Sequence, residues 1–240
     1  MTTLDLTPPG RALAIGAHPD DIEFGCGATL AKWAGGGTVV TLCICTDGAK
    51  GTWDPDADVA ALRQIREQEL RAAAAVLGAH AVEFLRLVDG ELDHGLDARA
   101  AVCAVIRSVR PDVVLAHDPW PIHRIHPDHR HAGLLAIEGI VAARDPHFFP
   151  EQGRAPHRPR ACLLFESEAA DHVERVDGWL DRKTDALLRH RSQWRSTMHI
   201  DERPEEQQAA FVRALHDAAQ TAGLRAGVRA GEAFRRIDEL

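Results

Sequence analysis

The amino-acid sequence predicts an α/β protein built on a doubly wound, mainly parallel sheet, with helices on both faces and a helical C-terminal segment. Two observations lead to this prediction. Short apolar, β-branched runs recur through the first two thirds of the 240 residues, as expected for strands that are buried on both faces. Helical patterns separate these runs, and strand–helix–strand units of this spacing form right-handed parallel crossovers.

The predicted elements follow one another in a regular order. Four buried strands come first, at residues 11–16, 38–45, 81–85 and 112–116. Helices are predicted between them, at residues 22–35, 58–77 and 97–109. The second helix places Leu62, Ile65 and Leu70 near helical spacing. It ends before Gly78, a residue suited to a helix C-cap.

The last third of the chain begins with a proline-rich loop, residues 147–159, that leads to a fifth strand at residues 161–165. Helical patterns follow at residues 176–189, 205–221 and 231–237. No linker composition, repeat or low-complexity tract divides the sequence, so we expect a single domain over residues 1–240.

Composition argues against several classes of function. The chain has 28 basic and 36 acidic residues, a net charge of −8, whereas binding to nucleic acid requires a basic face. No run approaches the roughly 18 apolar residues of a membrane span, and residues 1–10 lack the features of a secretory signal. We therefore expect a cytoplasmic protein with no membrane partner. The five cysteines are scattered through apolar stretches and are expected to be buried free thiols.

The polar sequence AHPDDIE, residues 17–23, directly follows the first strand. A nucleotide-binding sheet would have a glycine-rich loop here, but the GCG of residues 25–27 is followed by Leu30 where a third glycine is needed. A dinucleotide site is therefore not favoured. His18 and Asp21, three residues apart, can instead direct an imidazole and a carboxylate toward one point. Zinc accepts such a mixed pair of ligands.

A second polar cluster follows the fourth strand, at the same edge of the predicted sheet. It comprises HDPW at residues 117–120 and HPDH at residues 126–129. His126 and His129 repeat the three-residue spacing, so at least one of them can supply a third ligand. Three protein ligands leave a fourth position open, as in catalytic zinc sites. Taken singly, such residues are more often loop or helix-capping residues than ligands, but their joint occurrence at one sheet edge favours the metal site.

The two motifs together, AHPDD and HPDH, resemble those of the LmbE-like or PIG-L family of zinc-dependent N-deacetylases. Weaker similarities, such as REQEL at residues 66–70 and RPD at residues 110–112, extend the resemblance over most of the chain. The resemblance implies a Rossmann-like fold and a hydrolase that removes an acetyl or short acyl group from the amine of a small amino sugar or sugar conjugate. It also implies a small-molecule N-acylated substrate and a homo-oligomer.

The resemblance further implies roles for individual residues. It assigns one zinc ion per chain to three ligands, His18, Asp21 and His129. It makes Asp20 the general base, His126 the acid or oxyanion stabiliser, and Asp128 the carboxylate that orients His126. The chemistry is consistent, because zinc lowers the pKa of water toward about 7 and a neighbouring carboxylate can accept the released proton. An imidazolium can stabilise an oxyanion and protonate the leaving amine.

Other residues have two interpretations each. Arg66 and Asp89 resemble substrate-contacting residues of the family, whereas an exposed ion pair on a helix and a plain Asp-Gly turn explain them equally well. Trp53 and Trp120 can stack on a sugar ring or serve as packing residues. The segment HRSQ, residues 190–193, has no role that sequence chemistry assigns.

Two alternatives to the deacetylase interpretation stay open. The same zinc site would serve an amidase or deacylase acting on another amide, such as a thiol conjugate or an antibiotic intermediate. A non-catalytic metal- or nucleotide-binding module is the other alternative, and Asp20 discriminates against it because a pure binding site needs no unliganded carboxylate beside the metal. Iron or another divalent ion can also occupy ligands of this type.

Overall fold

The computed structural model describes residues 2–123, 125–238 and 240 and contains one eight-stranded sheet. Its strands are β1 (Thr3–Leu4), β2 (Arg11–Gly16), β3 (Val39–Thr46), β4 (Ala81–Leu87), β5 (Val113–His117), β6 (Ala161–Phe165), β7 (His172–Arg175) and β8 (Gly231–Asp238). Across the sheet the order is β1-β7-β8-β6-β5-β2-β3-β4. Strands β2 to β6 pair in parallel, whereas β8 runs antiparallel to both of its neighbours. The predicted doubly wound, mainly parallel α/β fold is confirmed.

Helices cover both faces of this sheet. They are α1 (Asp21–Gly35), α2 (Val59–Leu77), α3 (Leu96–Val109), α4 (Pro127–Arg144), α5 (Leu180–Leu187) and α6 (Pro204–Leu224). One hydrophobic core packs Leu13 and Ile15 of β2 against α3 and α4. The other packs Ala12 and Ala14 of the same strand against α1 and α2. Because successive side chains of a strand point to opposite faces, a strand buried on both needs the uninterrupted apolar run seen in the sequence.

The end of the chain departs from the prediction. Residues 231–237, which were predicted to be helical, form strand β8 between β6 and β7. Charged residues interrupt the alternation that marks a strand, and pairing with segments distant in sequence decides the outcome. The strands β1 and β7 were also not predicted, and α5 starts at Leu180 rather than near residue 176. Helix α6 confirms the rest of the predicted helical segment.

Helix α1, which follows the AHPDD motif, is broken at Cys26, whose φ of −148° is not helical. Two charged side chains from the end of the chain satisfy the backbone groups that the break releases. The Glu232 carboxylate accepts hydrogen bonds of 3.1 and 2.7 Å from two backbone N–H groups just after the break. Lys183 Nζ donates to the Phe24 carbonyl and to Glu232, each at 2.7 Å. The C-terminal third thus stabilises the helix at whose start the motif lies.

All five cysteines are buried and free, as predicted. Burial raises the pKa of Cys43 and of Cys162 to about 12, so these thiols stay protonated and unreactive at neutral pH. Among the helices of the described residues, none is long and apolar enough to cross a membrane.

Candidate active site

The strand order of the sheet reverses between β2 and β5, which lie side by side. In open α/β sheets such a reversal opens a crevice at the carboxyl ends of the strands, where ligands bind. The AHPDD motif leaves the end of β2, and the HPDH motif opens α4 after the end of β5. Side chains of both motifs line one cavity of about 540 Å³. The structure therefore brings the two motifs together.

The turn at the end of β2 gives the AHPDD motif its shape. Asp21 begins α1, and its Oδ2 accepts a hydrogen bond of 2.7 Å from the His18 backbone N–H. Asp20 has a φ of 105°, in the left-handed region that costs a non-glycine residue about 1–3 kcal/mol. Such conformations persist at sites where the surrounding structure enforces them. All three side chains line the cavity.

Several residues in and around this cavity form overlapping sets of potential metal ligands. Three sets have ligand atoms within 4.8 Å of one another: first His18, His126 and His129; second Asp21, His117 and His129; third His18, Asp89 and Asp128. Direct contacts link the predicted ligands, since His18 Nδ1 lies 3.4 Å from Asp21 Oδ2 and His129 Nε2 lies 3.3 Å from Asp21 Oδ1. Imidazole nitrogens and carboxylate oxygens suit a tetrahedral divalent ion. The donors therefore fit a metal ion.

Opposite charges stabilise one another among these residues. Burial acts to lower the pKa of His18, but hydrogen bonds to Asp128 and Asp21 outweigh burial and hold that pKa well above its usual value. Burial acts to raise the pKa of Asp21, but the charges of His129 and His117 hold it well below its usual value. A metal ion that binds here displaces protons from the imidazoles, because only the neutral ring can be a ligand.

His117, the last residue of β5, belongs to the second polar cluster of the sequence analysis, which gave it no individual role. Its buried ring contacts Asp21 Oδ2 through Nε2 at 3.1 Å and Glu166 Oε2 through Nδ1 at 3.2 Å. It also stacks on His129, with ring centroids 4.5 Å apart. If the predicted ligands His18, Asp21 and His129 hold the metal ion, these contacts would orient Asp21 and His129 from outside the coordination sphere. The available signal was its position, an imidazole at the end of a buried strand on the motif-bearing edge.

Two carboxylates converge on Nε2 of His18. Asp89 Oδ1 lies 3.1 Å from this nitrogen and Asp128 Oδ2 lies 3.2 Å from it. Asp128 also accepts hydrogen bonds from two backbone N–H groups of the loop between β4 and α3. Its hydrogen bond with His126 uses its own backbone N–H, which donates to Nδ1 at 3.3 Å. The Asp128 carboxylate thus faces a predicted metal ligand, while the orientation of His126 by Asp128 stays a prediction.

Asp20 is buried beside the guanidinium of Arg66. Arg66 Nη2 lies 3.5 Å from Asp20 Oδ1 and donates to the Pro19 carbonyl at 2.6 Å, while Nη1 donates to the Gly48 carbonyl at 2.8 Å. Burial raises the pKa of Asp20 to about 6, against the opposing charge of Arg66. Because Arg66 is only 3% exposed, its interpretation as a solvent-exposed helix residue is wrong.

The walls of the cavity include residues that sequence reasoning missed. Three polar side chains come from the segment after α5, namely Gln193, Ser196 and Thr197. Trp53 lines the cavity and is 84% exposed, whereas Trp120 is not among the described residues that line it. Arg66 and Asp89 both line the cavity, as their predicted contact with substrate requires.

The chain is similar to proteins that are named for their activity. The chain is 33% identical over 187 residues to diacetylchitobiose deacetylase of Thermococcus kodakarensis, covering 77% of this chain and 70% of that protein. It is 37% identical over 172 residues to 1D-myo-inositol 2-acetamido-2-deoxy-α-D-glucopyranoside deacetylase of Streptomyces avermitilis, covering 61% of this chain and 58% of that protein.

A solved structure is similar over nearly the whole chain. N,N′-diacetylchitobiose deacetylase from Pyrococcus horikoshii, complexed with its inhibitor MPG, superposes with a TM-score of 0.86 at 30% identity, covering 96% of this chain and 84% of that one. All three relatives are named deacetylases, which confirms the predicted enzyme class. Residues 13–140, more than half of the chain and both motifs, match the family model described as PIG-L: GlcNAc-PI de-N-acetylase. This chain belongs to the PIG-L family.

Proposed function

We propose that this protein is a zinc-dependent N-deacetylase that removes an acetyl or short acyl group from the amine of a small amino sugar or sugar conjugate. The observation that supports the proposal is the convergence of His18, Asp21 and His129 with Asp20 in one cavity. Zinc, when bound to the first three, supplies Lewis acidity and makes water a nucleophile near neutral pH. Side chains of the protein carry out the proton transfers.

Asp20 accepts the proton of the attacking water in this mechanism. Its carboxylate lines the cavity and adjoins the predicted ligand Asp21 in sequence. With a pKa of about 6, it is ionised at neutral pH and still basic enough to accept a proton. Arg66 holds the turn through the Pro19 carbonyl and thereby fixes the direction of the Asp20 side chain.

His126 delivers a proton to the leaving amine in this mechanism. Its ring lines the cavity, with its centroid 4.7 Å from that of His18 and 5.0 Å from that of His129. Burial lowers the pKa of His126, and the neighbouring charges of His18 and His129 lower it further. The free ring is therefore mainly neutral at neutral pH, and a proton that it gains during the reaction is released readily to the amine. In the balanced reaction the water oxygen bonds to the acyl carbon, the C–N bond breaks, and the nitrogen gains a proton.

The walls of the cavity support a small hydroxylated substrate. A volume of about 540 Å³ lies within the usual range for small-molecule sites. The wall supplies hydroxyl groups from Thr52 and Thr197 and an exposed indole from Trp53. We assign Arg66 and Asp89 to the substrate side of the cavity. The relatives named for acetylated amino sugars support the same substrate class.

The experiment that tests this function measures zinc content by plasma mass spectrometry and release of primary amine from a panel of N-acetylated sugars. We expect about one zinc per wild-type chain and almost none in Asp21→Ala. Asp20→Asn should keep its zinc while kcat falls by about 10²–10⁴-fold, the usual contribution of a general base. Asp112→Asn is the matched control, because Asp112 precedes β5 at the opposite edge and binds the Arg11 backbone N–H.

The other outcomes separate the alternatives. Folded, zinc-loaded protein that releases no amine from any acylated amine would contradict the proposal. Faster turnover of non-sugar or longer-acyl amides would favour an amidase, and an Asp20→Asn variant with unchanged function would favour a binding module. The cytoplasmic location and the homo-oligomeric state stay predictions.

A further inference from the structure

The segment after α5, which begins with the HRSQ sequence, is attached to two helices that bear site residues. His190 is fully buried, and its Nε2 lies 3.4 Å from Glu23 Oε1 in the first turn of α1. Ser192 donates from its backbone N–H and from Oγ to the Glu69 carboxylate of α2, at 2.8 and 2.6 Å. This segment therefore has a fixed position relative to α1 and α2.

Gln193 extends these contacts to the loop between β3 and α2. Although it lines the cavity, Gln193 is only 2% exposed. Its Nε2 donates to the Gly51 carbonyl at 3.1 Å. Its Oε1 accepts from the hydroxyls of Ser196 and Thr197 at 3.3 and 3.4 Å. Its backbone carbonyl accepts from the N–H groups of Thr197 and Met198. Contacts on both ends of the amide fix its orientation.

The loop of residues 47–53 is held by hydrogen bonds to its backbone from three surrounding side chains. They join Arg66 to Gly48, Asp89 to Lys50 and Gln193 to Gly51, at 2.8, 2.8 and 3.1 Å. Gly51 fits closely between two of these side chains. A Cβ at this position would clash with Arg66 and would lie 2.9 Å from Gln193 Oε1. Two of the anchors were predicted substrate residues, and Gln193 is the third.

We propose that Gln193 is a positioning residue, which holds residues 50–53 as a wall of the cavity and thereby sets the affinity for substrate. The inference rests on the proposed function. Residues 50–53 all line the cavity, and they follow Gly48, whose φ of 63° is a left-handed conformation that glycine adopts without strain. Without the hydrogen bond from Gln193, residues 50–53 would become ordered only when substrate binds. The free-energy cost of this ordering would weaken the affinity for substrate. The hydrogen bonds of Gln193 go to this loop and to its own segment, so kcat should change little.

The test uses Gln193→Met, which keeps the length of the side chain and removes its hydrogen bonds. Gln152→Met is the matched control, because Gln152 Nε2 likewise donates to a backbone carbonyl, that of Ala100, at 2.9 Å in a remote part of the molecule. We expect KM to rise about tenfold in Gln193→Met with kcat within about twofold of wild type. Exchange of the backbone amide hydrogens of residues 51–53 should also become about tenfold faster. Gln152→Met should change neither quantity.

The two measurements separate this inference from the proposed function. If the wild-type protein releases no amine, the proposed function fails, and hydrogen exchange still decides whether Gln193 anchors the loop. Unchanged exchange, or faster exchange with an unchanged KM, would overturn the inference, as would a fall in kcat as large as the rise in KM. Should Gln193→Met not fold, Gln193→Glu keeps the shape and loses the donor to Gly51, and the same changes are expected.

Discussion

Two regions of this molecule that contain buried charged side chains differ in how those side chains are paired. Where β2 and β5 end, several groups share one partner, since His18 Nε2 meets both Asp89 and Asp128. In the C-terminal third, the buried pair of Lys183 and Glu232 joins one cation to one carboxylate at 2.7 Å. Backbone N–H groups donate further hydrogen bonds to Glu232, and a backbone carbonyl accepts one from Lys183.

The difference separates a site from a structural support. Matched pairs with satisfied hydrogen bonds have nothing to gain from a ligand, so their contribution is to stability and to the geometry of α1. Groups that share a partner hold excess negative charge and imidazole nitrogens near a cavity, which a cation can bind. Shared partners at the switch point therefore indicate function more strongly than burial alone does.

Glu232→Ala gives the largest expected effect on stability. The change leaves the Lys183 ammonium buried without its carboxylate and removes the acceptor for the N–H groups of Ala28 and Thr29. Breaking a buried ion pair from one side costs about 3–5 kcal/mol, so the free energy of unfolding should fall by that amount. Urea unfolding followed by circular dichroism measures it.

Glu232→Gln keeps one acceptor for the helix and should lose less than Glu232→Ala. Both variants should still bind zinc when folded, because Glu232 lies outside the cavity lining that the structure describes. A loss below about 1 kcal/mol in Glu232→Ala would show that the pair is not a support of the fold.

The fold was largely predictable from the sequence because its central strands are buried on both faces. Short, almost wholly apolar runs such as those of β2 and β5 are typical of strands that are covered on both faces. Strand β8 was not predictable in this way, because Glu232 is a buried charge within a strand and its partner, Lys183, lies 49 residues away. Pairings of that separation leave no periodic signal in a single sequence.

The candidate site likewise contains residues that the sequence predicted and residues that it did not. The two spaced motifs predicted His18, Asp21 and His129 as neighbours, and the structure places them around one cavity. Gln193 and Thr197 were not predicted, because isolated polar residues in an irregular segment have no spacing that points to a cavity. Their place depends on how α5 and the segment after it pack on α1 and α2, which local chemistry does not encode.

His117→Phe should have the next largest effect and tests the shared-partner region. The substitution keeps an aromatic ring but removes the contacts of both nitrogens with Asp21 and Glu166. Outer partners of metal ligands typically contribute about 10–100-fold to metal affinity, so zinc affinity should fall by that factor. Competition with a chromogenic chelator measures the affinity directly.

His157→Phe is the matched control for this change. Its ring Nε2 hydrogen-bonds to the Pro111 carbonyl at 2.7 Å, and His157 is not among the described residues lining the cavity. Zinc affinity should be unchanged in this variant. If His117→Phe bound zinc as tightly as His157→Phe, the contact with Asp21 would have no part in forming the metal site.

Arg203→Ala should have the smallest effect and completes the comparison with Lys183 and Glu232. Arg203 Nη1 lies 2.7 Å from Glu206 Oε2, as close as the buried pair, but both side chains are more than 60% exposed. Water screens such a pair, and Arg203 at the start of α6 also faces the positive end of the helix dipole. The free energy of unfolding should change by less than about 0.5 kcal/mol in the same urea titration. Equal losses in Arg203→Ala and Glu232→Ala would mean that the distance between charges, rather than their burial and hydrogen bonding, determines the contribution of an ion pair in this protein.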